Sequence, residues 1–166
     1  IASSTSSEYL VSKLLERENL EVNHQDKSGR TALMFDCMRR SQIIISELLQ
    51  KSGIKINLQD NDGNTALIFT CKSLLFGTIQ NTLMLLECPD IDVNLENKYG
   101  ETALRVASLY RTENLFSIFL EREDIDLTNP RTASALTDRC FENHNPRLML
   151  ELVNRGMCYG DTSEFL

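Results

Sequence analysis

The sequence predicts an all-α repeat solenoid, in which helix-turn-helix units stack side by side and are joined by β-hairpin-like loops. The first observation is a phrase that returns along the chain, with copies marked by Asn23, Asn57, Asn94 and Thr128. These positions are 34, 37 and 34 residues apart. The second observation is a pair of large apolar residues near the end of each unit. A period in this range is typical of stacked units that carry their function on a surface.

Each predicted element follows from a local signal. The Asp-x-x-Gly stretches, such as Asp26 to Gly29 and Asp60 to Gly63, suit a tight turn because glycine takes positive φ at low cost. A threonine then precedes an apolar run, where its hydroxyl is expected to cap the first helix. A second apolar run predicts a second helix. The capping positions are Thr31, Thr65 and Thr102, and the terminal apolar pairs are Leu14-Leu15, Leu48-Leu49, Leu85-Leu86, Phe119-Leu120 and Leu152-Val153.

The phrase resembles the ankyrin repeat, whose pattern runs Asp-x-x-Gly-x-Thr-Pro-Leu-His-x-Ala before a leucine-rich second helix. The chain departs from that pattern at two positions. Alanine replaces the proline at Ala32, Ala66, Ala103 and Ala135, and the histidine is replaced by Met34, Ile68, Arg105 and Thr137. Alanine is a good helix former, so the first change preserves the helix. The second change removes any hydrogen-bond network built on the histidine, and we expect modest stability.

The resemblance implies an array over residues 1–156. It consists of a partial repeat (1–22), three repeats (23–56, 57–93 and 94–127) and a divergent capping repeat (128–156). Residues 157–166 form a tail or the start of a further segment. Because Ile1-Ala2 aligns with the end of a first helix, we expect the chain to belong to a longer protein.

Composition restricts the classes of partner. The net charge is −7 and no run of lysine and arginine is present, which argues against nucleic acid and anionic membranes as main partners. No stretch approaches the roughly 20 apolar residues that span a bilayer. The cysteines form no Cys-x-x-Cys pair and predict packed free thiols in an intracellular protein, either cytoplasmic or nuclear. These are Cys37, Cys71, Cys88, Cys140 and Cys158.

Catalytic and metal-binding patterns are not found in the sequence. There is no glycine-rich phosphate loop and no glycine-flanked nucleophile. The two histidines, His24 and His144, lie far apart in the predicted array, which argues against zinc. The carboxylates between Glu121 and Asp124 are typical of a solvated loop. We therefore predict a non-enzymatic protein without a cofactor or metal.

The resemblance implies that the turn tips and the exposed side of the first helices form a concave groove. Its positions differ from copy to copy, combine aromatic, apolar and basic side chains, and suit a protein or peptide that bears acidic residues. In this sequence they are Lys27, Ser28, Arg30, Met38, Arg39, Asn61, Asp62, Asn64, Lys72, Ser73, Lys98, Tyr99, Glu101, Leu109 and Tyr110.

Two further features carry hypotheses. The third unit has three extra residues within Ser73 to Asn81. There Leu74, Leu75 and Phe76 either fold back onto the core or form an apolar contact site. Separately, Asn94 lies in a context that resembles the site modified by asparaginyl hydroxylases in ankyrin domains. The alternative is that Asn94 pins its hairpin through side-chain hydrogen bonds.

The predicted function is non-catalytic protein recognition, as a scaffold or adaptor. Three alternatives remain open: a targeting or substrate-recruitment segment of a larger enzyme, ligase component or secreted effector; a structural spacer in a longer array; and the co-regulator-binding part of a transcription regulator. Fold alone does not choose among them.

Overall fold

The computed structural model describes residues 2–17, 19–39, 41–73, 79–109, 113–142, 150 and 152–156. These residues form helices, turns and loops, and none of them lies in a β-strand. The chain divides into two compact units, residues 1–92 and 93–166. The predicted fold class, an all-α array of short helical hairpins, is confirmed.

The first unit contains five helices among its described residues. α2 pairs with α3, and α4 pairs with α5, as successive hairpins. α2 packs beside α4, while α1 packs on α3 and α3 on α5, so the helices form two rows. The side chains of Leu33, Ile45 and Leu67 lie between them with at most 1% exposed. The helices are α1 (Ala2–Leu15), α2 (Ala32–Arg39), α3 (Gln42–Leu49), α4 (Ala66–Lys72) and α5 (Gln80–Leu86).

The second unit repeats this arrangement with α6 (Ala103–Leu109), α7 (Glu113–Leu120) and α8 (Pro130–Glu142). α6 packs against both α7 and α8. Residues 152–154 are also helical, and Leu152 is fully buried.

The start of the chain differs from the expectation. Ala2 was expected to end a first helix, but it begins α1, which runs without interruption to Leu15. No glycine or proline occurs between these two residues, so no residue in this stretch strongly opposes a continuous helix. The prediction that Ala2 lies at the end of a first helix is therefore wrong.

The turns have the geometry that the sequence predicts. Asp26 Oδ1 accepts hydrogen bonds from the backbone N–H groups of Ser28 and Arg30, both at 2.8 Å. Gly29 adopts a φ of 74°, in the left-handed region that favours glycine. Asp60 and Asn97 bond the backbone two and four residues ahead in the same way. The Asx side chain therefore closes each turn locally.

Threonine caps the first helices, as predicted. Thr65 Oγ1 accepts a hydrogen bond from the Ile68 N–H at 3.2 Å. Thr31 and Thr102 accept from the backbone three residues ahead at 3.3 and 3.1 Å. Each cap satisfies one of the N–H groups that a helix start leaves without an intrahelical acceptor.

The repeated asparagine links one return loop to the next. Asn57 Nδ2 donates to the Asp90 carbonyl at 2.7 Å, and Asn57 Oδ1 accepts from the Asp92 N–H at 2.9 Å. Asn23 bonds the backbone 30 and 32 residues ahead, and Asn94 does the same. The bonds thus join neighbouring repeats, whereas the sequence interpretation placed them within one hairpin.

No described helix is long and apolar enough to cross a membrane. Among the described residues, no group of histidine, cysteine and acidic side chains is arranged to hold a metal ion. Cys37, Cys71 and Cys140 are buried free thiols, and Cys88 is a half-buried one. Burial raises the pKa of Cys37 and raises that of Cys71 to about 12, so both remain protonated near neutral pH.

Candidate protein-interaction surface

Side chains that repeat between copies serve the scaffold, and the side chains at the two variable positions of each turn tip are exposed. The repeated aspartate or asparagine closes the turn, and the repeated threonine caps a helix. The repeated Leu33, Leu67 and Leu104 are each 1% exposed. The two positions after the turn Asx residue vary in every described copy, and all six side chains are exposed. They are Lys27, Ser28, Asn61, Asp62, Lys98 and Tyr99.

In the first unit, the end of α4 lies beside the residue that follows its turn. Lys72, the last residue of α4, donates from Nζ to Asn64 Oδ1 at 3.0 Å. The late helix and the residue after the turn are therefore neighbours. On α2, Met38 and Arg39 at the late-helix position are both exposed. The exposed part of this unit's predicted groove thus contains Lys27, Met38 and Arg39.

The tips of the first unit are hydrogen-bonded to each other. The Asn61 N–H donates to the Ser28 carbonyl at 2.8 Å, and Asn61 Nδ2 donates to the Lys27 carbonyl at 2.9 Å. Asn61 therefore contributes its side chain to the link between tips, although it remains exposed. Both tips are held at their backbone, which fixes the bases of the exposed Lys27 and Asp62 side chains.

Asn64 is buried, contrary to the expectation that it faces a partner. Its side chain is only 5% exposed, and its Nδ2 lies 3.3 Å from Asp60 Oδ1. Asp60 is buried too, and it needs these donors because an unpaired buried carboxylate is costly. Asn64 thus serves the interior of the turn, and its place among the partner-contacting residues is corrected.

Arg30 is only partly available to a partner. Its Nε lies 3.4 Å from Asp60 Oδ2, and its guanidinium lies 5.4 Å from the centre of the Phe69 ring. The buried carboxylate compensates much of the arginine charge, and the ring covers one face of the guanidinium. The positive charge of this surface therefore depends mainly on Lys27, Arg39 and Lys72.

An acidic residue moderates the charge on α2. Burial raises the pKa of the half-buried Asp36 carboxyl, and the nearby Glu8 raises it further, while Arg39 opposes both effects. Arg39 is exposed and is thus a cation that an acidic group can reach.

In the second unit, the predicted positions include two exposed apolar anchors. Tyr99 at the turn tip is 65% exposed, and Leu109 at the end of α6 is 58% exposed. Glu101 is half-buried, accepts from Asn97 Nδ2 at 2.8 Å and lies 3.6 Å from Arg105 Nη1. Lys98 is exposed, whereas Tyr110 lies outside the described residues.

A polar cleft between α6 and α8 contains two arginines that the sequence interpretation did not assign to a site. The cleft has a volume of about 240 Å³. Arg105 occupies the position of the family's histidine, and Arg131 follows the Asn129-Pro130 helix start. Both arginines can be noticed in the sequence, but their proximity depends on the packing of α8 on α6. The lining residues are Arg105, Ser108, Leu109, Arg131, Ser134, Ala135 and Asp138.

The insertion within the repeat at residues 57–93, from Ser73 to Asn81, is only partly described. Leu74, Leu75 and Phe76 lie outside the described residues, so both hypotheses about them stay untested. Ser73 donates from Oγ to the Thr70 carbonyl at 2.8 Å, which commits its hydroxyl to the end of α4. Asn81, the last residue of this stretch, and Thr82 lie on α5 and are buried at 2% and 0% exposure.

The Asn94 side chain is held at both ends of its amide. Nδ2 donates to the Asp124 carbonyl at 2.7 Å, and Oδ1 accepts from the Asp126 N–H at 2.8 Å. These bonds support a structural role for Asn94. Hydroxylation remains a separate hypothesis, and it would require an enzyme to reach a side chain that is half-buried and hydrogen-bonded.

Stacked helical hairpins with capped first helices and Asx-closed turns define a helical repeat protein. A family model for ankyrin repeats, in three copies, matches residues 1–97 of the chain. The chain therefore belongs to the ankyrin-repeat family. A comparison with curated proteins found no match. Ankyrin repeats are generally modules for protein–protein interaction and are generally not catalytic.

Proposed function

We propose that this protein binds a partner protein or peptide through its exposed turn tips and the exposed ends of its first helices. The observation that carries the proposal is that repeated and variable residues have different roles within each copy. Repeated residues are used inside the scaffold, and the two variable tip positions are exposed in every described copy. Because the repeated side chains form the internal contacts of the scaffold, the variable side chains at the turn tips can vary to fit a partner.

The residue types at these positions suit recognition. Tyr99 supplies a rigid amphipathic side chain, while Met38 and Leu109 supply adaptable apolar area. Aromatic residues and methionine are enriched in interface cores. The rest of the tip and helix-end positions supply hydrogen-bonding groups and charge, which favour specificity and a fast association rate.

The charge of the first unit favours an acidic partner. Lys27 and Arg39 are exposed, and neither forms an ion pair with a carboxylate among the residues that the structure describes. Asp62 is also exposed, so the surface is mixed rather than uniformly basic. We therefore infer a partner segment that carries acidic residues beside apolar ones, with the acids reaching the two cations.

The test is affinity capture from native extract with two composition-matched variants. The surface variant is Met38→Ala with Arg39→Glu, and the control variant is Ile43→Ala with Lys55→Glu. All four residues are exposed, and each pair removes one apolar side chain and reverses one cation. The control residues lie on α3 and the return loop, away from the turn tips in sequence.

The proposal predicts that the native protein and the control retain the same protein, and that the surface variant loses it. All three proteins must first show matching melting curves. Equal capture by both variants would contradict binding through α2 and would place the partner elsewhere. Failure of the native protein to capture any protein would favour the structural-spacer alternative.

A further inference from the structure

We propose that the cleft between α6 and α8 is a carboxylate-binding site, which receives an acidic side chain of the partner. The proposal rests on the proposed function and makes it more specific. The site lies wholly within the second unit. Its two arginines, Arg105 on α6 and Arg131 on α8, both line the same space of about 240 Å³.

Arg105, which lines the cleft, has an unused donor. Its Nε is buried and has no hydrogen-bond acceptor among the residues that the structure describes. Its Nη1 lies 3.6 Å from Glu101 Oε1, which is an ion pair without a hydrogen bond of normal length. A buried charged donor without an acceptor is costly. A carboxylate that accepts from the other N–H groups of this guanidinium would compensate a charge that the Glu101 contact pairs only weakly.

Arg131 is held at the other wall of the cleft. Its Nη1 donates to the Tyr99 carbonyl at 3.1 Å, and its guanidinium lies directly over Gly100. A Cβ at Gly100 would come within 1.7 Å of Arg131 Nη1. Glycine is thus what allows the guanidinium to rest on the turn tip. This contact uses one of the five N–H donors of Arg131.

Two guanidinium groups on one small cleft match an anionic oxygen group such as a carboxylate. Guanidinium binds carboxylate through paired, charge-assisted hydrogen bonds. Ser134 is exposed at the cleft and adds a hydroxyl, and Leu109, 58% exposed, lies at the same site. A glutamate or aspartate with an apolar neighbour in the partner would use both the cations and the leucine.

The acidic groups near the cleft weaken the attraction between the two arginines and an incoming carboxylate. Asp138 lines the cleft and is exposed, and Glu101 lies beside Arg105. The lining side chains thus carry two positive charges and one negative charge. An incoming carboxylate is attracted by Arg105 and Arg131 and repelled by Asp138. Removing the Asp138 charge should therefore tighten binding, which a purely structural role of the arginines does not predict.

The experiment follows the arginine Nε–H resonances of the 15N-labelled protein by NMR. The probe is the blocked peptide acetyl-Glu-Leu-Glu-amide, and its neutral counterpart is acetyl-Gln-Leu-Gln-amide. Arg105 reports on the cleft. Arg122 serves as the internal control, because its Nε already donates to Asp124 Oδ1 at 2.8 Å.

We expect the Glu peptide to shift the Arg105 resonance in a saturable manner, while the Gln peptide does not and Arg122 stays in place. Arg131→Gln should weaken binding by about tenfold or more, as expected for a lost hydrogen bond to a charged group. Asp138→Asn, which changes an exposed residue, should tighten it severalfold. An unmoved Arg105, or equal shifts for both peptides, would overturn the site.

The failure of this site is distinguishable from failure of the proposed function. If Arg131→Gln keeps a partner that the α2 surface variant loses, the cleft proposal is wrong and the proposed function stands. If Arg131→Gln loses the captured protein and the α2 surface variant keeps it, the cleft proposal stands and binding through α2 is wrong. If neither variant affects capture, both the cleft as a partner site and binding through α2 are wrong, even where the Glu peptide binds.

Discussion

The interior of the repeat at residues 57–93 contains two polar residues whose replacement should stabilise the protein. Asn81 and Thr82 are 2% and 0% exposed, and neither Asn81 Oδ1 nor Thr82 Oγ1 has a hydrogen-bond partner among the described residues. The preceding repeat, at residues 23–56, has Ile44 and Ile45 at the corresponding positions, each at most 1% exposed. The perturbation is therefore Asn81→Leu with Thr82→Val, which replaces both side chains by apolar groups of similar shape.

The magnitude follows from the two oxygens. A buried polar group without a partner costs about 1–3 kcal/mol, so removing both should raise the free energy of unfolding by about 2–4 kcal/mol once repacking is included. For a chain of this size each kcal/mol shifts Tm by about 2–4 °C, which gives a rise of about 4–16 °C.

The assay is urea unfolding followed by circular dichroism, and the matched control is Thr70→Val. Thr70 is as buried as Thr82, at 1% exposure, but its hydroxyl donates to the Leu67 carbonyl at 2.8 Å. The same Thr→Val change should therefore stabilise at position 82 and not at position 70. A Thr82→Val protein that is less stable than the native one would refute the reasoning.

The remaining predictions concern the scaffold. Asn57→Ala should lower the free energy of unfolding by about 1–3 kcal/mol, measured by urea titration, because two backbone groups lose their partner; an unchanged midpoint would contradict the inter-repeat link. Gly29→Ala should lower the melting temperature more than Gly53→Ala. Both glycines have positive φ, but only a Cβ at position 29 would lie 2.8 Å from a backbone nitrogen. Equal melting temperatures would show that this contact relaxes freely. Thiol labelling at pH 8 should modify the half-buried Cys88 well before the buried Cys71. Burial raises the pKa of Cys71 to about 12, and the thiolate is the reactive form. Mass analysis of the peptides gives the order, and equal rates would indicate that α4 opens to solvent.

Much of the fold could be read from the sequence because each repeat uses local chemistry. Asp26 closes its turn by bonding backbone groups two and four residues away, and Thr65 caps its helix three residues ahead. Such bonds depend only on neighbours in the chain. The period then fixes which elements stack. For this reason the Asx turns, the threonine caps and the turn glycines were predicted correctly, whereas the continuous helix α1 at the start of the chain was not.

The candidate site was predicted less completely, because exposure depends on what each side chain meets in space. Asn64 and Asn61 are both polar residues of one turn, yet the first is buried against Asp60 and the second is exposed. Arg30 reaches a carboxylate of the next turn, which its own repeat does not reveal. Sequence position could place these residues near the groove but could not decide which of them a partner can reach.

The sequence by itself determined the repeat: its period, its Asx turns, its capped helices and its ankyrin-repeat character. Only the tertiary structure decided which residues from different repeats meet. It joined Asn57 to the backbone 33 residues ahead, and it brought Arg105 and Arg131 to one cleft. The physical reason is range: a turn or cap is satisfied within a few residues, whereas a cleft forms where two helices distant in sequence pack together.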